Sequence, residues 1–237
     1  MTLSRRPVRM LSAAAVLAAS AALGLTALSA CGSAGAATTA TTSAVTHAAP
    51  AGHGASATAR QVALYDGLTI LLDQHMEWTY ATVVAFAQGS PVLTPDLDRL
   101  LRNQADIGNA VKPYYGNRAG DRLTALLRTH ILDAVPVLQA AKDGNTAALD
   151  KAVAAWYANA RQIADFLAAA NPGNWPRAEM EPMWKTHITQ TIAYSVDALK
   201  GNWAKSITGY GTAEAHMDQM AGMLSAGIIR QFPRKFA

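Results

Sequence analysis

A histidine followed by a glycine 14 residues later occurs three times in this chain, and that spacing constrains the fold more than any other feature. The three pairs are His75 with Gly89, His130 with Gly144, and His187 with Gly201. A polar residue follows each glycine by 14 or 15 positions, namely Asn103, Asn159 and His216. Because the layout recurs, the chain is predicted to contain three copies of one structural unit.

Each repeated glycine is predicted to end one helix and lead into the next. The residues after the glycines are Ser90, Asn145 and Asn202. Left-handed glycine commonly terminates a helix, and serine or asparagine commonly caps the following one. A helix rises about 1.5 Å per residue, so equal lengths out and back return the chain to one height. We therefore predict an all-α fold, a six-helix bundle built from three αα-hairpin repeats, with the histidines and the later polar residues at one level.

Hydrophobic residues at spacings of three and four predict where the six helices lie. The predicted ranges are about 60–88, 94–113, 121–142, 145–170, 176 or 182 to 200, and 202–230. Pro113 is predicted to stop the second helix, and Pro136 to kink the third. No window alternates polar and apolar residues between turn signals, so no strand is predicted.

Residues 1–30 have the pattern of a bacterial lipoprotein signal peptide. Three arginines precede an apolar stretch over 10–27, and Leu28-Ser29-Ala30-Cys31 matches the lipobox, in which cleavage leaves a lipid-bearing cysteine. Cys31 is the only cysteine, so lipidation at Cys31 would leave no thiol for a disulfide or a metal. The pattern predicts a protein anchored in the membrane through the Cys31 lipid, on the outer face of the cytoplasmic membrane.

Two further segments follow the signal peptide. Residues 31–59 are rich in alanine, threonine, serine and glycine and are predicted to be a flexible tether, and residues 60–237 are predicted to be the helical-bundle domain. The whole sequence carries a formal charge of +4, but removing residues 1–30 takes away three arginines and no acid, which leaves +1. The charge therefore gives no support to a nucleic-acid partner.

Histidines brought to one level of a bundle could bind a transition metal such as zinc or copper, because neutral imidazole suits both. The predicted metal ligands are His75, His130, His187 and His216. Asn103, Asn159 and Glu77 are predicted to hold the ring N–H groups or to contact a small ligand. The alternative is a purely structural polar layer in which each histidine hydrogen-bonds within its own hairpin.

Aromatic residues in the connections between repeats are the predicted walls of an opening to this layer. Tyr114 and Tyr115 lie in one connection and Trp175 in the other, and the tail 230–235 is predicted to close over the same end. Met217, Met220 and Met223 offer a copper(I) alternative, although methionine at helical spacing usually fills a core.

Other chemistry finds less support in the sequence. A di-iron carboxylate site needs Glu-x-x-His pairs, and the residues three before the four histidines are Leu72, Leu127, Trp184 and Ala213. No serine lies in a nucleophile elbow, and no glycine-rich phosphate loop follows a strand. An enzyme using acid–base chemistry at the histidines stays as a third hypothesis.

Short motifs across the domain resemble a family of small helical-bundle bacterial proteins that is common in spore-forming Gram-positive species and has no assigned activity. The motifs include His75-Met76-Glu77-Trp78-Thr79, Tyr114-Tyr115-Gly116, Trp156-Tyr157-Ala158-Asn159-Ala160 and Gln231-Phe232-Pro233. The resemblance spans nearly all of residues 65–236 and implies an all-helical fold without a specified chemistry. Most members of that family lack a lipobox, so the export signal is a departure from the pattern.

These features together predict a lipid-anchored, extracytoplasmic lipoprotein whose domain binds a small ligand or a transition metal at a buried His/Asn layer. The alternatives are an interaction protein with structural histidines and, third, an enzyme.

Overall fold

A computed structural model describes residues 57–237, and these residues are helical almost throughout, with no strand among them. The helices are α1 Ala59–Gln88, α2 Leu93–Tyr115, α3 Asn117–Lys142, α4 Thr146–Ala170, α5 Arg177–Leu199 and α6 Trp203–Gln231, with a short 3-10 helix at Pro233–Lys235. The prediction of an all-α, six-helix domain is confirmed.

The six helices pack in chain order and close on themselves. Each helix contacts the next one along the chain, and α6 returns to contact α1. In addition, α5 contacts both α1 and α3, so these three helices approach one another inside the bundle. The short turns make successive helices antiparallel. The starts of α1, α3 and α5 therefore lie at one end of the bundle, which we call the tail end, and their last turns lie at the opposite, turn end.

The three turns at the turn end share one hydrogen-bonding pattern. Gly89, Gly144 and Gly201 have φ values of +65°, +66° and +74°. The backbone N–H of the residue after each glycine donates to a carbonyl five residues back, with distances of 2.9 Å for Ser90, 3.0 Å for Asn145 and 2.8 Å for Asn202. This is the Schellman ending, which needs a left-handed residue and therefore favours glycine. The prediction that the three glycines end helices is confirmed. Of the predicted caps, Asn145 accepts from the Ala148 N–H, Asn202 is at the cap position without a side-chain bond, and Ser90 is not a cap because α2 begins after Val92.

Some helix bounds differ from those predicted. Helix α2 continues through Pro113 to Tyr115, and α3 begins at Asn117, earlier than predicted. A proline near the last turn removes a single backbone donor. Beyond the proline, the Tyr115 hydroxyl donates to Gln231 Oε1 at 2.6 Å and ties the last residue of α2 to α6. Helix α5 begins directly after Pro176 and includes Pro182 in its first turns.

The backbones of α2 and α3 touch where two glycines face each other. A Cβ added to Gly108 would lie 2.6 Å from the carbonyl oxygen of Gly120, and one added to Gly120 would lie 2.5 Å from that of Gly108. Any side chain at either position would force the two helices apart. The first, second and third hairpins are α1–α2, α3–α4 and α5–α6. The glycine pair thus sets the close contact between the first and second hairpins.

The C-terminal segment covers the tail end, as the sequence predicted. Phe236 is buried and stacks on Tyr114 with ring centroids 5.7 Å apart. The Thr58 hydroxyl donates to the Phe236 carbonyl at 2.9 Å, and Lys235 Nζ donates to the Pro113 carbonyl at 2.9 Å. The start of α1, the end of α2 and the tail are therefore joined to one another.

The predicted signal peptide and almost all of the predicted tether lie outside the described residues, as does Cys31. Within residues 57–237, no helix combines the length and the apolar character that crossing a bilayer would require.

The turn glycines allow a direct test of the fold. Gly144→Ala places a Cβ at φ +66° and is expected to lower the free energy of unfolding by about 1 kcal/mol. Gly67 has open space around it and an ordinary helical conformation, so Gly67→Ala is expected to raise that free energy by about 0.5–1 kcal/mol. Urea unfolding of both variants measures the two changes, and changes of the same sign would contradict the turn assignment.

Candidate functional site

Three histidines meet in the centre of the bundle, one from each of the helices that approach one another there. His75 lies on α1, His130 on α3 and His187 on α5. Their exposed fractions are 5%, 2% and 2%. The ring centroid of His187 lies 5.6 Å from that of His75 and 5.6 Å from that of His130. We call these three residues the histidine triad.

Two tryptophan rings pack against His130 of the triad. The centroid of the His130 ring is 5.3 Å from that of Trp156 and 5.5 Å from that of Trp184. Both indoles are buried, and neither indole N–H has a hydrogen-bond partner among the described residues. The rings therefore exclude bulk water from His130.

Burial keeps the triad uncharged at neutral pH. Desolvation lowers the pKa of His75 to about 4. Desolvation, with a contribution from the neighbouring His75, lowers the pKa of His130 to about 3. Desolvation and the nearby imidazoles also hold the pKa of His187 well below its ordinary value. Uncharged imidazole is the form that can bind a metal ion or accept a hydrogen bond.

The second hairpin fixes the tautomer of His130. His130 Nδ1 lies 3.1 Å from Asn159 Oδ1, and an amide oxygen can only accept, so Nδ1 carries the proton. The Asn159 amide nitrogen donates to the Leu126 carbonyl at 3.2 Å, which holds the amide in this orientation. His130 Nε2 then carries a lone pair, and this buried atom has no partner in the described part of the chain.

The same interhelical hydrogen bond occurs in each hairpin. In each case a side chain of the second helix donates to the carbonyl four residues before the triad histidine. The three bonds are Asn103 to Leu71 at 3.0 Å, Asn159 to Leu126 at 3.2 Å, and His216 Nε2 to Met183 at 3.0 Å. The bond fixes the register of the two helices at the level of the triad.

In the first hairpin, Gln104 rather than Asn103 contacts the histidine. Gln104 Nε2 lies 3.2 Å from His75 Nδ1 and also donates to the Leu100 carbonyl at 2.9 Å. Gln104 Nε2 also lies 3.2 Å from Asn103 Oδ1, so its second hydrogen is shared between Asn103 and His75. Because an amide nitrogen cannot accept, His75 Nδ1 carries no proton and its Nε2 does. Gln104 Oε1 is buried without a partner among residues 57–237.

In the third hairpin the triad histidine has no amide partner. His187 Nδ1 is buried and makes no hydrogen bond with the described residues. His216 is only partly buried and directs Nε2 to the Met183 carbonyl, so it does not join the triad. Of the four predicted metal ligands, the structure brings three together and leaves His216 beside them.

Two small cavities lie on opposite sides of the triad, and all three histidines line both. The turn-side cavity has a volume of about 50 Å³ and is also lined by Trp156, Thr191 and Ser195. The tail-side cavity has a volume of about 40 Å³ and is also lined by Gln104 and Trp184. The surface that each cavity presents is almost entirely apolar. Four residues of the two linings nevertheless carry buried polar atoms that have no partner within residues 57–237, namely Trp156 Nε1, Ser195 Oγ, Trp184 Nε1 and Gln104 Oε1.

The remaining predicted ligand-binding residues lie away from the cavities. Glu77 is exposed on α1 and lines neither cavity. Tyr114, Tyr115 and Trp175 pack at the tail end, where Trp175 is 1% exposed and its ring centroid is 5.7 Å from that of Tyr115. This aromatic packing fills the region that the sequence analysis expected to be an opening. Two residues of the copper(I) alternative, Met217 and Met220, do line the tail-side cavity.

Sequence reasoning missed Gln104, Trp156 and Trp184 as neighbours of the triad. Trp184 lies three residues before His187, and Trp156 lies three before Asn159, so helical spacing places each near the layer. Gln104 had no such signal, because it adjoins Asn103, which the repeat pattern favoured.

A preformed metal site is absent from residues 57–237, in which no group of three or more His, Cys, Asp or Glu side chains has that arrangement. Comparison of the chain with protein-family models, with curated proteins and with solved structures finds no match.

The triad makes the free energy of unfolding depend on pH in the acid range, below about pH 6.5. The folded-state pKa values of His75 and His130 are about 4 and about 3, below the ordinary 6.5, so only the unfolded chain takes up protons between pH 6.5 and those values. The free energy of unfolding should therefore be insensitive to the triad above pH 6.5. It should fall below that pH by up to about 1.4 kcal/mol per pH unit for each histidine.

Urea unfolding at pH 7.0, 6.0 and 5.0 measures this slope. The variant His130→Gln is less stable at pH 7 but should show a shallower slope, because one proton-binding group is lost. A slope equal to that of the unsubstituted chain would contradict burial of an uncharged His130.

Proposed function

We propose that this protein is a lipid-anchored lipoprotein on the outer face of the cytoplasmic membrane and that its helical domain binds a transition metal ion, zinc or copper, at the histidine triad. The observation that carries this proposal is that two buried nitrogens of uncharged rings, His130 Nε2 and His187 Nδ1, have no hydrogen-bond partner within residues 57–237. A buried acceptor without a partner costs about 1–3 kcal/mol, and a bound ion would remove that cost.

The size of the cavities favours an ion over an organic ligand. Pockets for organic ligands usually measure about 300–1,000 Å³. The cavities beside the triad measure about 50 Å³ and about 40 Å³. A water molecule needs roughly 10–15 Å³ by the same kind of measure, so each cavity fits an ion or a few waters.

The spacing of the rings is close to what coordination needs. Zinc binds imidazole nitrogen at about 2.0–2.1 Å, which places two ring centroids roughly 5 Å apart around one ion. The two measured spacings of 5.6 Å exceed that value slightly. Because no group of the described side chains is already arranged around a metal, the proposal requires the rings to turn so that their nitrogens converge on one ion.

The second hairpin supplies an orientation typical of metal-binding histidines. Such histidines usually donate the other ring N–H to an oxygen, which fixes the tautomer. The bond from His130 Nδ1 to Asn159 Oδ1 has this form. In the first hairpin, binding through His75 Nε2 requires its proton to move to Nδ1. Rotation of the Gln104 amide would then offer Oε1, now unpaired, as the acceptor.

The three αα-hairpins are proposed to be copies of one unit. Two sets of equivalent interactions support the repeat, namely the three Schellman turns and the three bonds to the carbonyl four residues before each triad histidine. The proposal of lipidation is supported by the lipobox Leu28-Ser29-Ala30-Cys31. The motif resemblance to small helical bacterial proteins is consistent with the all-helical domain.

A structural role for the histidines is the second candidate. The observation that favours it is that the interhelical bonds form without any bound ion and already fix helix register. In this account the domain is an interaction lipoprotein, and water in the two cavities satisfies the unpaired atoms.

The metal proposal predicts one equivalent of bound metal. The full chain, purified without a histidine tag, should contain or take up one zinc or copper ion by elemental analysis. His187→Gln should lower the affinity in isothermal titration by on the order of a hundredfold or more, because a direct ligand is lost. Asn159→Ala removes only the hydrogen-bond partner of the metal ligand His130 and should lower the metal affinity about 10–100-fold.

His216→Gln is the matched control, because it removes an imidazole that lies outside the triad. His216→Gln should still bind one metal ion per chain, with the affinity of the unsubstituted chain. Circular dichroism melting checks that each variant is folded. Equal metal content in His187→Gln and His216→Gln, or no metal in any folded form, would favour the structural role.

A further inference from the structure

Exposed cations that pair with no aspartate or glutamate of residues 57–237 gather at the tail end of the bundle. They are Arg60, Arg118, Arg122, Arg230, Arg234 and Lys235, of which Arg60 donates to the main-chain oxygen of Ala237 at 2.9 Å. Among the acidic groups at this end, Asp121 pairs with Lys112, and Asp165 and Glu181 pair with Arg177, whereas the exposed Asp66 and Glu179 form no salt bridge within residues 57–237. Once Lys112 and Arg177 are counted, eight cations lie at this end with five acidic groups. The tail end is therefore electropositive.

The turn end is electrically balanced. Its exposed cations are Lys142, Lys151, Lys200 and Lys205, and the aspartates at the same end are Asp96, Asp98, Asp143, Asp150 and Asp197. The charge asymmetry thus follows the axis of the bundle.

Apolar side chains lie among the tail-end cations. Val62 and Tyr65, in the first turns of α1, are 45% and 44% exposed. They line a groove of about 440 Å³ with Arg230, and a second groove of about 400 Å³ is lined by Arg60, Lys235 and Tyr114. Basic residues beside exposed tyrosine and valine suit the interface of a bilayer, where phosphates lie above the apolar region.

The chain that follows the proposed lipidation site Cys31 enters the described domain at this same end. Twenty-seven positions separate Cys31 from Thr58, which caps α1 at the tail end. A chain of that length spans at most roughly 90 Å, so a lipid on Cys31 would confine the domain to the neighbourhood of the membrane. A weak attraction between the domain and the lipid head groups then suffices to orient the domain, because the anchor keeps the effective concentration of membrane surface near the domain high.

We propose that the tail end is a membrane-docking surface that binds the anionic phospholipids of the bilayer and turns the bundle upright on it. The proposal rests on the lipid anchor of the proposed function, and it is independent of metal binding. Docking places the turn-side cavity on the far side of the triad from the bilayer.

Energy transfer to a labelled lipid tests this orientation. The full lipidated chain is placed in vesicles of phosphatidylcholine, with or without phosphatidylglycerol, that carry an acceptor dye on a lipid. A donor dye is attached through Gly173→Cys at the tail end or through Ala147→Cys at the turn end, both exposed positions. On anionic vesicles the residue-173 dye should give the greater transfer, and on neutral vesicles the two dyes should give similar transfer.

Charge variants supply the matched control. The triple variant Arg118→Gln/Arg122→Gln/Arg234→Gln should dock more weakly. Its ratio of docked to undocked protein should fall about fivefold for each cation removed. Lys151→Gln/Lys200→Gln/Lys205→Gln removes the same charge from the turn end and should leave the transfer unchanged. Raising the salt to 0.5 M should abolish the difference between the dyes, because it shortens the screening length to well below about 10 Å.

Failure of the anchor and failure of the surface give different results. A chain that does not stay with neutral vesicles lacks the anchor, and its recovery on anionic vesicles alone would still support the surface. Equal transfer from both dyes on anionic vesicles at low salt would overturn the docking proposal and leave these cations to a protein partner.

Discussion

Burial of three uncharged imidazoles is the constraint around which the domain is built. A buried imidazole is tolerated when it is neutral and when its polar atoms have partners, because an unpaired polar atom in an apolar core is costly. The triad meets the first condition, since desolvation lowers all three pKa values. It meets the second only in part, since His130 Nε2 and His187 Nδ1 find no partner in the part of the chain that the structure describes. That deficit is the reason to look for a ligand there.

The helical hairpin is the device that brings the imidazoles to one depth. A left-handed glycine reverses the chain after a fixed number of residues, and a side chain on the returning helix bonds to the carbonyl one turn before the histidine. The turn and the bond together fix the register of the two helices in a hairpin. The position of each triad ring along the bundle axis is therefore fixed as well. The close contact of Gly108 with Gly120 then holds the first hairpin against the second.

The sequence predicted the features that depend on spacing and missed those that depend on side-chain direction. Helical rise placed His75, His130 and His187 at one height, and the turn glycines followed from their recurrence. Spacing alone could not show that Gln104 would reach His75, because two adjacent polar residues differ only in the direction of their side chains. Nor could it show that the aromatic residues at the tail end would pack against the C-terminal segment and fill the expected opening.

Nitrogen-15 NMR of the histidine rings tests whether three buried imidazoles are neutral and bind zinc, because it reports the charge, the tautomer and the metal contact of each ring. At pH 6 we expect three neutral triad rings, with the proton of His130 on Nδ1, and a change at His130 Nε2 when zinc is added. A charged triad ring at pH 6, or a zinc response confined to His216, would contradict this expectation.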